Sequence, residues 1–188
     1  MEYQVKTAHG TLFCRREGSG PLLLLIHGVA CDSEFFREAS AILSKKFTVI
    51  SYDRRGYSRS IPAEGETDFS VWAHADDAAE IIGAELKRKH EEEICLEESE
   101  PQMNGAEEQS KVKDGQNIGF FVAGCSAGGA VTAALATKYP ELVRQVFLHE
   151  PLKMVPHAGL TRLVGVISRN GAVRANTART FHRYLIPA

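Results

Sequence analysis

The sequence of 188 residues lacks the features that mark secreted, membrane-spanning and nucleic-acid-binding proteins. Its four cysteines are far apart and form no Cys-x-x-Cys pair, which argues against a zinc site and a disulfide framework and favours a reduced, cytoplasmic protein. The formal net charge of -2 gives no reason to expect nucleic acid or an anionic membrane as a partner. Apolar runs such as residues 22–26 are too short to span a bilayer, and the first residues lack the character of a signal peptide.

Acidic side chains are also missing from the last part of the sequence. No Asp or Glu follows Glu150. The charged residues beyond that point are all basic: Lys153, Arg162, Arg169, Arg174, Arg179 and Arg183. This absence excludes every position after Glu150 as the place of a catalytic carboxylate.

The rest of the composition is that of a globular domain, with 44% hydrophobic and 24% charged residues. Strands are predicted at residues 3–8, 11–16, 22–26, 47–52, 118–122 and 145–149, and helices at residues 33–44, 70–89 and 130–138. The first two strands predict an antiparallel hairpin about His9 and Gly10. Because the later strands alternate with helices, residues 1–150 predict an α/β core with a doubly wound, mainly parallel sheet. In the helix at 33–44, five apolar residues at helical spacing are expected to face the core: Phe35, Phe36, Ala39, Ile42 and Leu43.

Two segments fall outside this core. Residues 91–116 contain eight glutamates and few apolar residues, so we expect a mobile acidic insertion, with a binding loop as the alternative. Residues 151–188 predict a partial helical cap that is broken at Asn170 and Gly171. No further strand is evident, so the sheet is expected to be truncated before its last strands.

Residues 117–130 form the most informative stretch. An apolar strand runs into residues 124–129 (Gly-Cys-Ser-Ala-Gly-Gly), and a helix-forming run follows at once. This is the pattern of a nucleophile elbow, in which a tight turn holds a serine hydroxyl above the sheet. The alternative is a glycine-rich turn whose serine only caps the helix. The strand before it and the helix after it make Ser126 the candidate nucleophile.

Three motifs in order carry a family resemblance. His27 and Gly28 follow one strand, residues 53–60 (Asp-Arg-Arg-Gly-Tyr-Ser-Arg-Ser) follow a second, and residues 124–129 follow a third. Together they resemble the α/β-hydrolase fold family, in its serine esterase and lipase-like branch. The resemblance implies hydrolysis of ester, thioester or related acyl substrates through an acyl-enzyme intermediate, with no cofactor or metal. A serine at the elbow, rather than an aspartate, argues against dehalogenase or epoxide hydrolase chemistry.

The resemblance also implies roles for residues of these motifs. The oxyanion hole would be formed by the backbone N–H groups of Val29 and Ala127. His27 and Gly28 would orient the loop that carries Val29, and His27 would not be the catalytic base. Asp53 is expected to accept hydrogen bonds from nearby backbone donors.

The sequence departs from the family pattern after the elbow. The family's acid usually follows the strand two beyond the elbow strand, and its histidine follows the last strand. Glu150, at the end of the strand next to the elbow strand, is the candidate acid; its alternative is a strand-end residue that binds loop amides. Of His149, His157 and His182, none has the family's context, and we take His157, in a loop just past Glu150, as the candidate base.

Three explanations for this departure stay open. The sequence is a fragment of a longer hydrolase, which we favour, or a naturally short enzyme with an unusual triad, or a catalytically incomplete ligand-binding or interaction protein of the same fold. In the second case a homodimer through an exposed sheet edge would complete the sheet. The partner expected in the first two cases is a small-molecule substrate.

Overall fold

One mixed β-sheet organises residues 1–99 and 119–149, which are the residues that the computed structural model describes. The strands are β1 (Glu2–Thr7), β2 (Gly10–Glu17), β3 (Leu22–Ile26), β4 (Thr48–Tyr52), β5 (Ile61–Pro62), β6 (Phe120–Cys125) and β7 (Val143–His149). The helices are α1 (Arg37–Leu43), which follows a 3-10 turn at Ser33–Phe36, then α2 (Val71–Ser99) and α3 (Ala127–Lys138). The two-residue strand β5 was not predicted, because its stretch was expected to be a loop. Apart from β5 and the two changes described below, these elements match the predicted ones to within a few residues.

The strand order within these residues is β1-β2-β4-β3-β6-β7, with β5 paired to the start of β2. The predicted hairpin is confirmed, since β1 and β2 pair antiparallel, and β2 also pairs antiparallel with β4. From β4 to β7 the pairing is parallel. The predicted mainly parallel sheet with an antiparallel N-terminal hairpin is therefore confirmed.

Both faces of the central strands are covered. Leu22, Leu24 and Ile26 of β3 join the larger core cluster with apolar residues of α2 and α3. Leu23 and Leu25 point to the opposite face, into a smaller cluster to which α1 contributes. A strand that is buried on both faces reads as a continuous apolar run, which is why β3 is recognisable in the sequence.

The helix predicted at residues 33–44 does not bury all the residues that were expected to face the core. Phe36 and Leu43 pack against the smaller cluster, whereas Phe35 and Ile42 are 57% and 68% exposed, so the expectation is wrong for those two, and Ala39 is exposed as well. The side of this segment that faces the core carries Phe36, Ser40 and Leu43, at i, i+4 and i+7. Phe35, Ala39 and Ile42 lie on the adjacent face, which is exposed.

Helix α2 runs further than its predicted end at residue 89. It continues through Ser99, so residues 91–99, predicted as the start of a mobile insertion, are helical. Glutamate is a good helix former, and Lys89 Nζ lies 3.7 Å from Glu93 Oε1 one turn further along. Residues 100–118, with the rest of the predicted insertion, and residues 150–188, with the predicted cap, lie outside the described residues. No helix within the described ranges combines the length and apolar character needed to cross a bilayer.

Candidate active site

Ser126 occupies a strained turn between the end of β6 and the start of α3. Its φ is 54° and its ψ is -119°, a backbone conformation that non-glycine residues rarely adopt. Although it stands at the N-cap position, its side chain makes no capping hydrogen bond. The alternative, in which the serine only caps the helix, is therefore wrong.

The small residues around Ser126 are required by close backbone contacts. A Cβ built on Gly124 would collide with the carbonyl oxygen of Gly128 and with Thr132 Oγ1. A Cβ on Gly128 would collide with the carbonyl oxygen of Ile26 at the end of β3. Only glycine at both positions lets β6, α3 and β3 approach this closely.

The loop after β3 lies against Ser126. A Cβ built on Gly28 would be 3.6 Å from Ser126 Oγ and 3.1 Å from Ser126 Cβ. Val29, the next residue in this loop, and Ala127, the first residue of α3, line the same cavity. The structure thus brings the two predicted oxyanion-hole residues to one cavity, while their role as donors stays a prediction.

His27 is fully buried and holds this loop from inside. Its Nδ1–H donates to the carbonyl oxygen of Gly28 at 2.8 Å, and its Nε2 accepts from the backbone N–H of Arg54 at 2.9 Å. Burial lowers the pKa of His27 to about 4, so the ring is neutral at pH 7. Since both ring nitrogens are engaged within the loops, His27 is not available as a base for Ser126.

Asp53 organises the polar turn after β4. Its carboxylate accepts from the backbone N–H groups of Ser33 at 2.9 Å and Arg59 at 3.1 Å, as expected, and from Arg59 Nε at 2.8 Å. Burial acts to raise the pKa of Asp53, but the hydrogen bonds from Arg59 and Ser33 outweigh it and lower the pKa to about 2. The carboxylate is therefore ionised, and it fixes the turn rather than taking part in proton transfer.

Arg55, in the same turn, is fully buried and connects the turn to neighbouring segments by ion pairs. Its Nε lies 3.1 Å from Asp77 Oδ2 on α2, and its Nη1 lies 2.9 Å from Glu66 Oε2. Two carboxylates therefore offset the charge of this guanidinium.

A cavity of about 470 Å³ opens between these loops and the N-terminal ends of α2 and α3. The described residues that line it are Val29, Arg54, Arg55, Gly56, Tyr57, Phe69, Val71, His74, Ala127 and Ala130. Most of this lining is apolar, and its titratable members are basic or aromatic, with no Asp or Glu among the residues just named. The volume is in the range of small-molecule sites.

Sequence reasoning did not single out Arg54 or His74 as residues of this cavity. Arg54 is buried, and its Nη2 donates to the Gly28 carbonyl oxygen at 2.8 Å. His74 is also buried, with Nδ1 3.7 Å from Asp77 Oδ2. A signal was present for both, since residues 53–60 contain three arginines against one acid, and His74 lies three residues after Val71 on the apolar face of α2.

The predicted acid and base fall in the part of the chain that is not described. Glu150, His157 and His182 lie outside the described residues. His149 is the last residue of β7, is exposed, and accepts a hydrogen bond at its carbonyl oxygen from the backbone N–H of Ser126, at 3.0 Å. The described end of β7 therefore adjoins the elbow.

The chain is similar to known hydrolases. Residues 21–90 match a family model described as the alpha/beta hydrolase fold. An uncharacterized hydrolase, YraK, of Bacillus subtilis is 30% identical over 135 residues, which are 72% of this chain and 39% of that protein. The 2-(acetamidomethylene)succinate hydrolase of Mesorhizobium japonicum is 32% identical over 136 residues, which are 72% of this chain and 37% of that protein.

Solved structures have the same architecture. The crystal structure of E-2-(acetamidomethylene)succinate hydrolase superposes with a TM-score of 0.57 at 29% identity, over 78% of this chain and 42% of that one. The chain thus spans about two fifths of the length of these three proteins.

Proposed function

Because this chain belongs to the α/β-hydrolase family, we propose that it is a serine hydrolase of ester, thioester or related acyl substrates. The observation that carries the proposal is the position of Ser126, held in a strained turn with its Oγ next to the loop after β3. A serine at this turn favours acyl transfer through a covalent acyl-enzyme.

In the proposed reaction, Ser126 Oγ attacks the acyl carbon and forms a bond to it. The hydroxyl proton passes to a base, for which His157 supported by Glu150 is the candidate pair, outside the described residues. The oxyanion accepts hydrogen bonds from the N–H groups of Val29 and Ala127, and removing one such donor typically costs about 3 kcal/mol of transition-state stabilisation. The alcohol or thiol then leaves with the proton, and water hydrolyses the acyl-enzyme.

The direction of the Val29 N–H group follows from the bonds to Gly28. In a trans peptide the C=O of one residue and the N–H of the next point in opposite directions. Because His27 and Arg54 both donate to the Gly28 carbonyl oxygen, they fix this peptide plane and hence the aim of the Val29 N–H. Ala127 begins α3, where N–H groups have no partner within the helix and the helix dipole favours an anion.

The proposal is tested by covalent labelling with a fluorophosphonate, which reacts with activated serines. We expect the purified protein to be labelled at Ser126 and the Ser126→Ala variant to lose the label. Ser44→Ala is the matched control, because Ser44 lies at the end of α1 and its hydroxyl makes a long bond of 3.4 Å to the Ala41 carbonyl oxygen.

Intact mass and peptide mapping measure the labelling. A folded wild-type protein that takes no label, or a Ser126→Ala variant that is labelled as fast as wild type, would rule out the proposed nucleophile. The first result would favour the alternative of a ligand-binding protein that has the fold without its catalysis.

A further inference from the structure

The cavity described above contains a buried cation that has no carboxylate partner among the described side chains. Arg54 is 3% exposed, and among residues 1–95 and 119–149, whose side chains the structure describes, no Asp or Glu oxygen lies within ion-pair distance of its guanidinium. Its Nη2 donates a hydrogen bond to the Gly28 carbonyl oxygen, and its Cζ lies 4.5 Å from the centre of the Tyr57 ring. Its Nε has no hydrogen-bond partner in the described part of the chain.

The other two arginines of the same turn have carboxylate partners. Arg55 is paired with Asp77 and Glu66, and Arg59 is paired with Asp53. The turn therefore neutralises Arg55 and Arg59. Arg54, which lines the cavity, has no anionic partner within the described part of the chain. Burying an unpaired charge is costly, so a position that keeps one at a cavity wall is suited to a ligand that supplies the opposite charge.

We propose that Arg54 binds a carboxylate of the substrate, so that this cavity selects acyl compounds that carry a second, anionic end. A guanidinium offers a planar fork of donors that matches a carboxylate. The apolar side chains of Phe69, Val71 and Val29 line the same cavity and suit a hydrocarbon segment between the two ends. That the bound compound is a substrate rests on the proposed function, whereas binding of a carboxylate at Arg54 does not depend on it.

A pair of ligands that differ in one charge tests this directly. 4-Phenylbutyrate and 4-phenylbutyramide have nearly the same shape, and neither has an ester to cleave. Isothermal titration calorimetry on the purified chain is expected to give a Kd at least about tenfold lower for the carboxylate than for the amide. Equal affinities for the two, or no binding of the carboxylate, would overturn the proposal.

Two variants assign the preference to Arg54. Arg54→Gln is expected to reduce the preference for the carboxylate to about onefold, since it removes the charge. Arg37→Gln is the matched control and should keep the preference, because Arg37 is a 74% exposed side chain paired with Glu34 outside the cavity. A folded Arg54→Gln protein that keeps the tenfold preference would contradict the assignment.

A measurement on the wild-type protein covers the case in which Arg54→Gln does not fold. The Nε–H signal of Arg54 in an ¹⁵N NMR spectrum, identified by its loss in Arg54→Lys, is expected to shift on titration with 4-phenylbutyrate and not with the amide. An Arg54 signal that stays in place at saturating carboxylate would overturn the proposal.

Labelling of Ser126, measured beside ligand binding, separates this inference from the proposed function. If the carboxylate binds at Arg54 but Ser126 takes no fluorophosphonate, the anionic subsite stands and the hydrolase proposal fails. If Ser126 is labelled but the carboxylate and amide bind equally, the hydrolase proposal stands and the subsite is wrong.

Discussion

At the scale of single residues, the candidate active site depends on glycines, where a side chain would collide with backbone, as much as on the side chain of Ser126. Gly124 and Gly128 permit β6, α3 and β3 to approach, and Ser126 is held between them at a positive φ. The strain of that turn is supported by the contacts around it. Its neighbour Gly28 brings the loop after β3 against the serine hydroxyl.

A methyl group at Gly128 should therefore destabilise the domain. In Gly128→Ala the new Cβ meets the Ile26 and His27 carbonyl oxygens, the latter at 2.6 Å, and these belong to backbone that cannot swing away. We expect a loss of about 2 kcal/mol in the free energy of unfolding, as for other overpacked sites, and slower labelling of Ser126. Urea denaturation measures the first effect and labelling kinetics the second.

Gly83→Ala is the matched control for that substitution. Gly83 also lies in a helix, α2, but a Cβ there would meet nothing within 4 Å. Because alanine is the better helix former, this variant should be more stable by about 0.5–1 kcal/mol. Two variants with the same sign of change would contradict the steric account of Gly128.

At the scale of elements, α2 is fastened to the N-terminal hairpin by a buried carboxylate. Glu85 is 1% exposed, lies 3.2 Å from Arg16 Nε on β2, and accepts a hydrogen bond from the hydroxyl of Tyr3 on β1. About two turns further along α2, Glu92 contacts the same arginine at 3.0 Å but is 48% exposed. The two glutamates therefore contact the same arginine, one as a buried carboxylate and the other as an exposed one.

We expect Glu85→Ala to cost about 3 kcal/mol in the free energy of unfolding, because it leaves the buried Nε of Arg16 and the hydroxyl of Tyr3 without the carboxylate that they contact. Glu92→Ala should cost less than about 1 kcal/mol, as exposed ion pairs do. Chemical denaturation of both variants under the same conditions measures the difference. Equal costs would show that α2 is not anchored through Glu85.

At the scale of the whole molecule, the sheet gathers three distant motifs at one edge. The carboxyl ends of β3, β4 and β6 lie side by side, so the loop at 27–29, the turn at 53–60 and the elbow at 124–129 become neighbours. Ligand sites of doubly wound sheets lie at this edge. The same packing buries His27, in the loop at 27–29, against the turn at 53–60. The free energy of unfolding therefore depends on the protonation of His27.

Global stability is expected to fall as the pH is lowered from 7 to 5. The pKa of His27 is about 4 in the folded protein and near 6.5 when unfolded, so between these values the unfolded state binds more protons. Its contribution is complete above pH 6.5 and is lost progressively as the pH falls towards 4. From pH 7 to pH 5 the loss is about 2 kcal/mol.

Urea denaturation at the two pH values measures this loss. His27→Gln should remove about that much of the pH dependence, because glutamine does not titrate. His90→Gln, at an exposed position of α2, should leave it unchanged. A His27→Gln protein with the full pH dependence would show that another group is responsible.

The sequence alone determined the order of strands and helices and the identity of the elbow. These follow from short-range causes: the apolar run of β3, the hairpin turn at His9 and Gly10, and the glycine spacing about Ser126 are each contained in a few consecutive residues. The family pattern predicts that the loop with Gly28 lies close to Ser126, and the structure brings these two residues together.

Only the tertiary structure decided which side chains face one another across distant segments. Phe35 and Ile42 have helical spacing, but packing against the sheet selects the face of Phe36 and Leu43 instead. The contact of Glu92 on α2 with Arg16 on β2 likewise joins segments that are far apart in the sequence. The three arginines at 54, 55 and 59 look alike in the sequence. The carboxylates that pair with Arg55 and Arg59 come from α2, from Glu66 and from Asp53. Packing therefore determines that Arg54, at the cavity, is the one of the three with no carboxylate among the described side chains.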